Sequence, residues 1–279
     1  MIRSCVIGWP IGHSRSPLIH GYWLQQLGIQ GSYERLPVEP ERLKNFICNL
    51  SINGYAGCNV TIPHKEQVFH LTKPADETTS RLGAVNTVYV RDGQFLGINT
   101  DGEGFNNSLL SCHPSYTFKN KRAVVLGAGG AAMAVTNALL LNGVSEIAIA
   151  NRSIEKTQQL QMRFGQAIKA VQWVKRSEQL SECDFLVNTT SLGMAGQDEL
   201  EIDLNYLPTN SLVCDIVYVP LRTKLLEGAS ARGNPVVEGL GMLLHQAVRG
   251  FELWFGVRPV VTDELHDRIA RDIDPAYRR

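Results

Sequence analysis

The chain has 279 residues, of which 44% are hydrophobic and 19% are charged. This length and composition predict a globular protein, most naturally with two domains, and exclude a disordered chain. The 27 basic and 27 acidic side chains balance, so the sequence offers no cationic stripe for nucleic acid and permits either a monomer or a homodimer.

The cysteines and histidines predict neither a disulfide framework nor a metal site. Six cysteines are scattered without a CxxC pair or a Cys/His cluster, which is typical of reduced thiols in the cytoplasm. The start "MIRSCVIGWPIGHS" lacks the apolar segment of a signal peptide, and the apolar stretch 123–144 divides into strand, turn and helix. We therefore expect a cytoplasmic protein with no membrane partner.

The first hundred residues alternate between strand and helix patterns. After the strand "CVIGWP", the segment "SRSPLIHGYWLQQLG" predicts a helix that Ser16 caps, that Pro17 opens and that Gly28 ends. "SYERLPV" and "AGCNVTIP" are strand-like, with the helical "PERLKNFICNL" between them. "AVNTVYVRDGQFLGINT" predicts a hairpin that turns at Asp92 and Gly93.

From Arg122 the pattern becomes a regular series of strands and helices. The strands are "RAVVLG", "EIAIAN", "AVQWV", "FLVNTT" and "LVCDIVY", with helices that include 131–142 and 153–164. Apolar strands alternating with helices indicate a doubly wound parallel sheet. Two closing helices, "GLGMLLHQAVRGFELWF" and "TDELHDRIARDI", are expected to pack on the first unit. The prediction is an α/β substrate domain of residues 1–101 and 240–279, and a Rossmann-type domain of residues 102–239.

The junction "VVLGAGGAAMAV" predicts a dinucleotide site. Gly127, Gly129 and Ala132 have GxGxxA spacing where a strand meets a helix, so the backbone can approach a pyrophosphate. The alternative is a glycine-rich turn in a protein that binds something else.

The end of the next strand, "ANRSIEK", favours NADP over NAD. Asn151, Arg152 and Ser153 stand where an NAD site carries an acid, and Lys156 follows one turn later. Cations and a hydroxyl suit a 2′-phosphate, which a carboxylate would repel. On the alternative reading Ser153 only caps a helix and Arg152 is solvated, although capping and cofactor binding are compatible.

Polar side chains also follow the strands of the first unit. "HSRSP", "NVTIPHK" and "AVNT…GINTDG" supply hydroxyls and amides that suit a ligand with several OH groups, from Ser14, Ser16, Asn59, Thr61 and Asn86. Among these segments, Lys65 and Asp101 form a charged pair that could deliver a proton to a developing alkoxide. The alternatives are a solvated lysine and an aspartate that only caps a helix.

Taken in order, the motifs "SRSP", "NVTIPHK", "GAVNT", "NTDG", "GAGGAA", "NRS", "NTTSLGM", "DIVY" and "GLGMLLHQA" resemble the shikimate dehydrogenase family from end to end. The resemblance implies NADPH-dependent reduction of 3-dehydroshikimate to shikimate, a step of aromatic amino acid biosynthesis through chorismate. It implies that Lys65 and Asp101 are catalytic, with Lys65 as the general acid/base. The chain has Ser153 where members often have threonine, which keeps the hydroxyl.

The resemblance also implies two sets of binding residues. The substrate contacts would be Ser14, Ser16, Thr61, Lys65, Asn86, Asp101, Tyr218 and Gln246. The NADP contacts would be Gly127, Ala128, Gly129, Gly130, Ala131, Asn151, Arg152, Ser153, Lys156, Ile216 and Gly239, with Glu77 as a lesser candidate.

Two other functions are compatible with these motifs. One is a sister enzyme that prefers quinate or accepts both acids, although the paired serines and the "NRS" segment favour shikimate with NADP. The other is a non-catalytic NADP-binding regulator, which would keep residues 127–156 but would not need Lys65 and Asp101 in place.

Overall fold

Two six-stranded sheets with flanking helices organise the chain in a computed structural model that describes residues 1–278. Contacts divide the chain into a first unit, Met1–Asp101 with Leu244–Ile269, and a second unit, Gly102–Leu243 with the chain from Ala270 onward. The predicted domain limits stay a prediction, and the last predicted residue, 279, lies outside the described residues. No helix among residues 1–278 is long and apolar enough to cross a membrane.

The sheet of the first unit has the order β2-β1-β3-β5-β6-β4. Five of its strands run in one direction, and β5 is antiparallel to both of its neighbours. The carboxyl ends of β1, β3 and β6 therefore meet the start of β5 at one edge. The strands are Ile2–Gly8 (β1), Gly31–Pro37 (β2), Tyr55–Val60 (β3), Lys73–Pro74 (β4), Thr87–Arg91 (β5) and Gln94–Ile98 (β6).

Four helices accompany this sheet, and a fifth begins at Asp101 and continues into the second unit. They are Ser16–Gln26 (α1), Leu43–Cys48 (α2), Lys65–Leu71 (α3), Glu77–Leu82 (α4) and Asp101–Cys112 (α5). The predicted hairpin is confirmed, since Asp92 and Gly93 have the positive φ angles of 51° and 72° that a tight primed turn needs. The predicted cap at Ser16 is wrong: α1 begins at Ser16 itself, and its hydroxyl is engaged with Ser14 instead.

The sheet of the second unit is entirely parallel, with the order β12-β11-β10-β7-β8-β9. Counted within the unit this is the 3-2-1-4-5-6 order of a Rossmann sheet, which confirms the predicted fold class. The strands are Arg122–Leu126 (β7), Glu146–Asn151 (β8), Ile168–Gln172 (β9), Phe185–Asn188 (β10), Leu212–Asp215 (β11) and Val236–Val237 (β12). The helices are Gly130–Leu141 (α6), Ile154–Phe164 (α7) and Lys224–Ala231 (α8).

Local differences from the sequence prediction have physical causes. The predicted strand "AVQWV" is displaced, because β9 ends at Gln172 and Trp173 begins a short 3-10 helix. Ser153 does occupy the N-cap position of α7, but its hydroxyl makes no capping bond because it donates to Glu155. The short strands β4 and β12 have two residues each, too few to show a period in the sequence.

Two helices close the chain, Gly239–Phe255 (α9) and Asp263–Ile273 (α10), and the segment 244–269 returns to the first unit. The Trp254 indole donates to the Val88 carbonyl at 2.9 Å. Gly57 allows this contact, because a Cβ there would overlap the indole and the same carbonyl. Trp23 of α1 and Phe251 of α9 pack edge to face, with their ring centroids 5.4 Å apart. These contacts hold α9 against the first unit and bring Gln246 to the polar edge of that sheet, whereas the placement of both closing helices in the first domain stays a prediction.

Candidate active site

Lys65 and Asp101 meet at the edge where β3 and β6 end. Lys65 is the first residue of α3 and Asp101 the first residue of α5. The Lys65 Nζ donates to the Asp101 Oδ2 at 2.6 Å, and the two side chains are 24% and 10% exposed. A charge-assisted bond of this length in a partly buried place holds both groups in one geometry. The alternative readings, a solvated lysine and an aspartate that only caps a helix, do not describe this arrangement.

Asn86 fixes the carboxylate of that pair. Its Nδ2 donates to the Asp101 Oδ1 at 2.7 Å and to the Thr100 Oγ1 at 2.9 Å. Its Oδ1 accepts from the Thr100 N–H and from the Thr87 hydroxyl, both at 3.0 Å. With both amide protons engaged, the buried Asn86 orients Asp101 so that Oδ2 is left for Lys65. A substrate hydroxyl would reach Asn86 only by exchanging one of these bonds.

The backbone around the pair is anchored from several directions. The Lys65 carbonyl accepts from the Val85 N–H at 2.9 Å, and the Asp101 N–H donates to the Asn99 Oδ1 at 3.1 Å. The Thr100 hydroxyl donates to the Gln246 carbonyl at 2.8 Å, which ties α9 to the same edge. The Gln246 backbone therefore lies next to Thr100 and close to Asp101, although Gln246 is 145 positions further along the chain than Asp101. Its role as a substrate contact stays a prediction.

The paired serines lie on the loop between β1 and α1. The Ser14 Oγ accepts from the Ser16 N–H and donates to the Ser16 Oγ, both at 3.3 Å. Next to this loop is the turn that carries Thr61, because the Trp9 N–H donates to the Ile62 carbonyl at 3.1 Å. Gly8 makes this close approach possible, since a Cβ there would lie 2.7 Å from the Thr61 Cγ2. Three predicted substrate hydroxyls are thus grouped at the ends of β1 and β3.

A buried polar layer underlies these groups, and the sequence motifs do not indicate most of it. The Tyr33 hydroxyl donates to the Asn59 Oδ1 at 2.5 Å. The Asn59 Nδ2 donates to the Asn86 carbonyl at 3.2 Å and to the Thr87 Oγ1 at 3.0 Å. Burial raises the pKa of Tyr33 well above its ordinary value, so the phenol keeps its proton. Asn59, predicted as a possible ligand contact, has its amide engaged inside the protein and acts as a support.

His20 completes the apolar wall of this layer. Its ring stacks on Tyr33 with centroids 3.9 Å apart and planes 10° apart. Complete burial lowers the pKa of His20 to about 3, so the imidazole is neutral at physiological pH.

Among residues 1–278 no group of three His, Cys, Asp or Glu side chains could hold a metal ion, and the six cysteines are free thiols.

A cleft of about 250 Å³ lies at the carboxyl ends of β7, β8 and β10 in the second unit. Gly127 has a φ of +106°, and a Cβ there would lie 2.8 Å from the Thr189 Oγ1, so only glycine fits. At Gly129 and Gly130 a Cβ would meet nothing within 4 Å, which leaves the start of α6 open to a ligand. The residues lining the cleft are Gly127, Ala128, Gly129, Asn151, Arg152, Lys156, Trp173, Thr189, Thr190, Ser191 and Leu192.

This donor set fits a dinucleotide with a 2′-phosphate. The N-terminus of α6 offers backbone N–H groups for a pyrophosphate, and Arg152 and Lys156 supply cations at the end of β8. Asn151, Arg152 and Lys156 are thus brought together as predicted. Trp173 and the threonines 189–190 were missed as cleft residues, although the strand end "FLVNTT" marked the place of the threonines.

The other predicted cofactor residues have different places. Gly130 and Ala131 are the first two residues of α6. A Cβ on Gly239 would overlap the Ile216 backbone, so the two residues are in contact. Glu77 belongs to the first unit, where it is exposed in the first turn of α4.

The loop that carries Ile216 and Tyr218 is held by the buried Asp215. The Asp215 Oδ1 accepts from the Asn188 Nδ2 and from the Val217 N–H, both at 3.0 Å. The Asp215 Oδ2 accepts from the Thr223 hydroxyl at 2.7 Å. Burial raises the pKa of Asp215 to about 6, although these three donors oppose the rise. The carboxylate therefore fixes the path of residues 215–223.

Comparison with known proteins places this arrangement in a family. Three family models match: the shikimate dehydrogenase substrate binding domain at residues 6–88, shikimate / quinate 5-dehydrogenase at 111–201, and the shikimate 5′-dehydrogenase C-terminal domain at 239–261. The chain is 54% identical over 261 residues to the shikimate dehydrogenase (NADP(+)) of Paramagnetospirillum magneticum, covering 93% of this chain and 95% of that protein.

Solved structures agree with the sequence comparison. Quinate dehydrogenase from Corynebacterium glutamicum in complex with NAD superposes with a TM-score of 0.89 at 30% identity, covering 96% of this chain and 98% of that chain. Shikimate 5-dehydrogenase from Thermus thermophilus in complex with NADP(H) and shikimate superposes with a TM-score of 0.86 at 33% identity, covering 98% of this chain and 100% of that chain.

Proposed function

This chain belongs to the shikimate dehydrogenase family, and from that premise we propose that Lys65 and Asp101 are the proton-transfer pair of its active site. The protein is an NADP-dependent oxidoreductase that interconverts 3-dehydroshikimate and shikimate, a step of chorismate biosynthesis. The observation that carries the proposal is the 2.6 Å bond between the Lys65 Nζ and the Asp101 Oδ2 at a sheet edge lined with hydroxyls.

The proposed reaction transfers one hydride and one proton to the ketone. NADPH, when bound, supplies the hydride to the ketone carbon. Lys65 gives a proton from Nζ to the ketone oxygen as it becomes a hydroxyl, and then recovers a proton from water through its exposed side. Asp101 holds the Lys65 ammonium in place for the transfer through the 2.6 Å bond. In the reverse direction the neutral Lys65 accepts the proton of the shikimate hydroxyl.

We assign the paired serines to the other end of the substrate. Ser14, Ser16 and Thr61 are hydroxyl donors grouped at the ends of β1 and β3, and they suit the carboxylate and ring hydroxyls of a cyclic hydroxy acid. Gln246 and Tyr218 remain proposed as further substrate contacts. The paired hydroxyls are also the reason to favour shikimate over quinate, which carries an additional hydroxyl on the carbon that bears the carboxylate.

We assign NADP to the second unit. The backbone of 127–131 would hold the pyrophosphate, and Asn151, Arg152, Ser153 and Lys156 would hold the 2′-phosphate ribose. Ile216 and Gly239 would contact the remainder of the cofactor, with Glu77 as a lesser candidate. The cytoplasmic location and the choice between a monomer and a homodimer stay predictions from composition.

The test is the rate of nicotinamide reduction with shikimate and with quinate, each combined with NADP and with NAD. We expect the highest kcat/KM with shikimate and NADP. A higher kcat/KM with quinate than with shikimate would show that quinate is the preferred substrate. Tight NADPH binding without turnover of either acid would contradict the proposed pair and favour a cofactor-binding regulator.

A further inference from the structure

Ser153 and Glu155 form a bond that the motif "NRS" does not show. The Ser153 Oγ donates to the Glu155 Oε2 at 2.6 Å, just before and within the first turn of α7. This bond lowers the pKa of Glu155 below its ordinary value, so the carboxylate is ionised at neutral pH. The Asn151 Nδ2 donates to the Ser153 carbonyl at 3.0 Å and holds the segment in this conformation.

The Ser153–Glu155 bond limits what the Ser153 hydroxyl can donate to a ligand. A serine hydroxyl has one proton to donate, and in Ser153 that proton is directed to Glu155. A 2′-phosphate offers only acceptors at neutral pH, so it needs donors from the protein. Ser153 can serve a 2′-phosphate only after it releases Glu155, and the released carboxylate then lies beside the phosphate as a like charge.

The charges of residues 151–156 also affect how strongly the segment would bind a 2′-phosphate. Arg152 and Lys156 line the cleft, while the exposed Glu155 lies between them in sequence and reduces the formal charge of residues 151–156 from +2 to +1. A carboxylate is also the group that accepts the ribose 2′-hydroxyl in NAD sites. One side chain can therefore weaken the binding of one cofactor and strengthen the binding of the other.

We propose that Glu155 is a specificity-determining residue that lowers the preference of this protein for NADP over NAD. It withholds the Ser153 hydroxyl, repels the 2′-phosphate, and accepts the 2′-hydroxyl of NAD. The inference rests on the proposed placement of the cofactor ribose at residues 151–156. Within this segment Glu155 would disfavour NADP, whereas Arg152 and Lys156 favour it.

The test compares dissociation constants of NADP, NAD and 2′,5′-ADP for the wild-type protein, Glu155→Gln and Glu155→Ala, measured by calorimetry. Glu155→Gln removes the charge, and Glu155→Ala also frees the Ser153 hydroxyl. We expect the NADP and 2′,5′-ADP constants to fall about three- to tenfold, as for one screened like-charge contact with a phosphate. The NAD constant should rise, and Glu155→Ala should have the larger effect on NADP.

Glu264→Gln is the matched control, because Glu264 is likewise an exposed acid in the first turn of a helix, α10. It removes the same net charge and should leave all three constants unchanged. A ratio of the NAD to the NADP constant that stays at the wild-type value in both Glu155 variants would overturn the inference. An equal change in Glu264→Gln would overturn it as well, because the effect would then be one of net charge.

Arg152→Ala separates this inference from the proposed function. If Arg152→Ala weakens NADP and 2′,5′-ADP while the Glu155 variants change neither, only the role of Glu155 is wrong. If Arg152→Ala leaves the constant for 2′,5′-ADP unchanged, the 2′-phosphate does not bind at this segment, and the proposed cofactor placement fails together with the inference.

Discussion

Replacing Asp215 with asparagine should remove a pH dependence from the stability of the protein. Burial raises the pKa of Asp215 from 3.8 to about 6 in the folded protein. Between those two values the folded form keeps a proton that the unfolded chain has lost. The free energy of unfolding therefore falls as the pH rises from about 4 to about 6, and it changes no further at higher pH.

The size of the effect follows from the size of the pKa change. A rise from 3.8 to about 6 corresponds to about 3 kcal/mol of stability that is fully present well below pH 3.8 and lost at pH 7. About 2.4 kcal/mol of this is lost between pH 4 and pH 7. The asparagine side chain of Asp215→Asn does not titrate. Its carbonyl oxygen can still accept from Asn188 and Val217, and its amide can donate to the Thr223 oxygen.

The assay is urea unfolding, followed by circular dichroism at several pH values between 4 and 7, for the wild-type protein and Asp215→Asn. The stability of the wild-type protein relative to the variant should decrease by about 2.4 kcal/mol across this range. Asp198→Asn, at an exposed aspartate of the same unit, is the control and should show no such decrease. A wild-type-to-variant difference that is independent of pH would refute the reasoning that burial raises the pKa of Asp215.

Tyr33→Phe leaves the buried Asn59 Oδ1 without its donor and should lower the free energy of unfolding by about 1 to 3 kcal/mol, measured in urea; an unchanged midpoint would show that the Tyr33–Asn59 bond does not stabilise the fold. Gly127→Ala places a methyl group 2.8 Å from the Thr189 Oγ1 at a φ of +106°. It should lower stability by about 1 to 3 kcal/mol and weaken NADPH binding in a fluorescence titration. Gly130→Ala, where a Cβ meets nothing within 4 Å, should not lower stability, and equal losses in both variants would contradict the steric argument.

The sequence predicts those parts of the fold that depend on neighbouring residues. The Asp92-Gly93 turn needs two positive φ angles, and the strand–glycine–helix order at Gly127 needs a close approach of the backbone; both requirements select residue types that can be recognised. The same holds for the apolar strands of the second unit, because strands that are covered on both faces require continuous apolar runs.

Contacts between distant residues could not be predicted in this way. The bonds of the Asn86 amide to Thr100 and Asp101 are marked by no motif, while its role as a substrate contact stays a prediction. Tyr33 had no motif to mark it, and it supports the site only because β2 and β3 flank β1 in the folded sheet. At Ser16 and Ser153 a side-chain partner two residues away engages the hydroxyl that was expected to cap a helix.

The most direct test of whether Lys65 transfers the proton under the control of Asp101 is kcat for 3-dehydroshikimate reduction by Lys65→Ala, with NADPH affinity measured separately. General acid catalysis by a positioned side chain is worth about 10²- to 10⁴-fold, so kcat should fall by that factor while the dissociation constant of NADPH stays unchanged. A kcat near the wild-type value would contradict the account, because the proton would then come from another group.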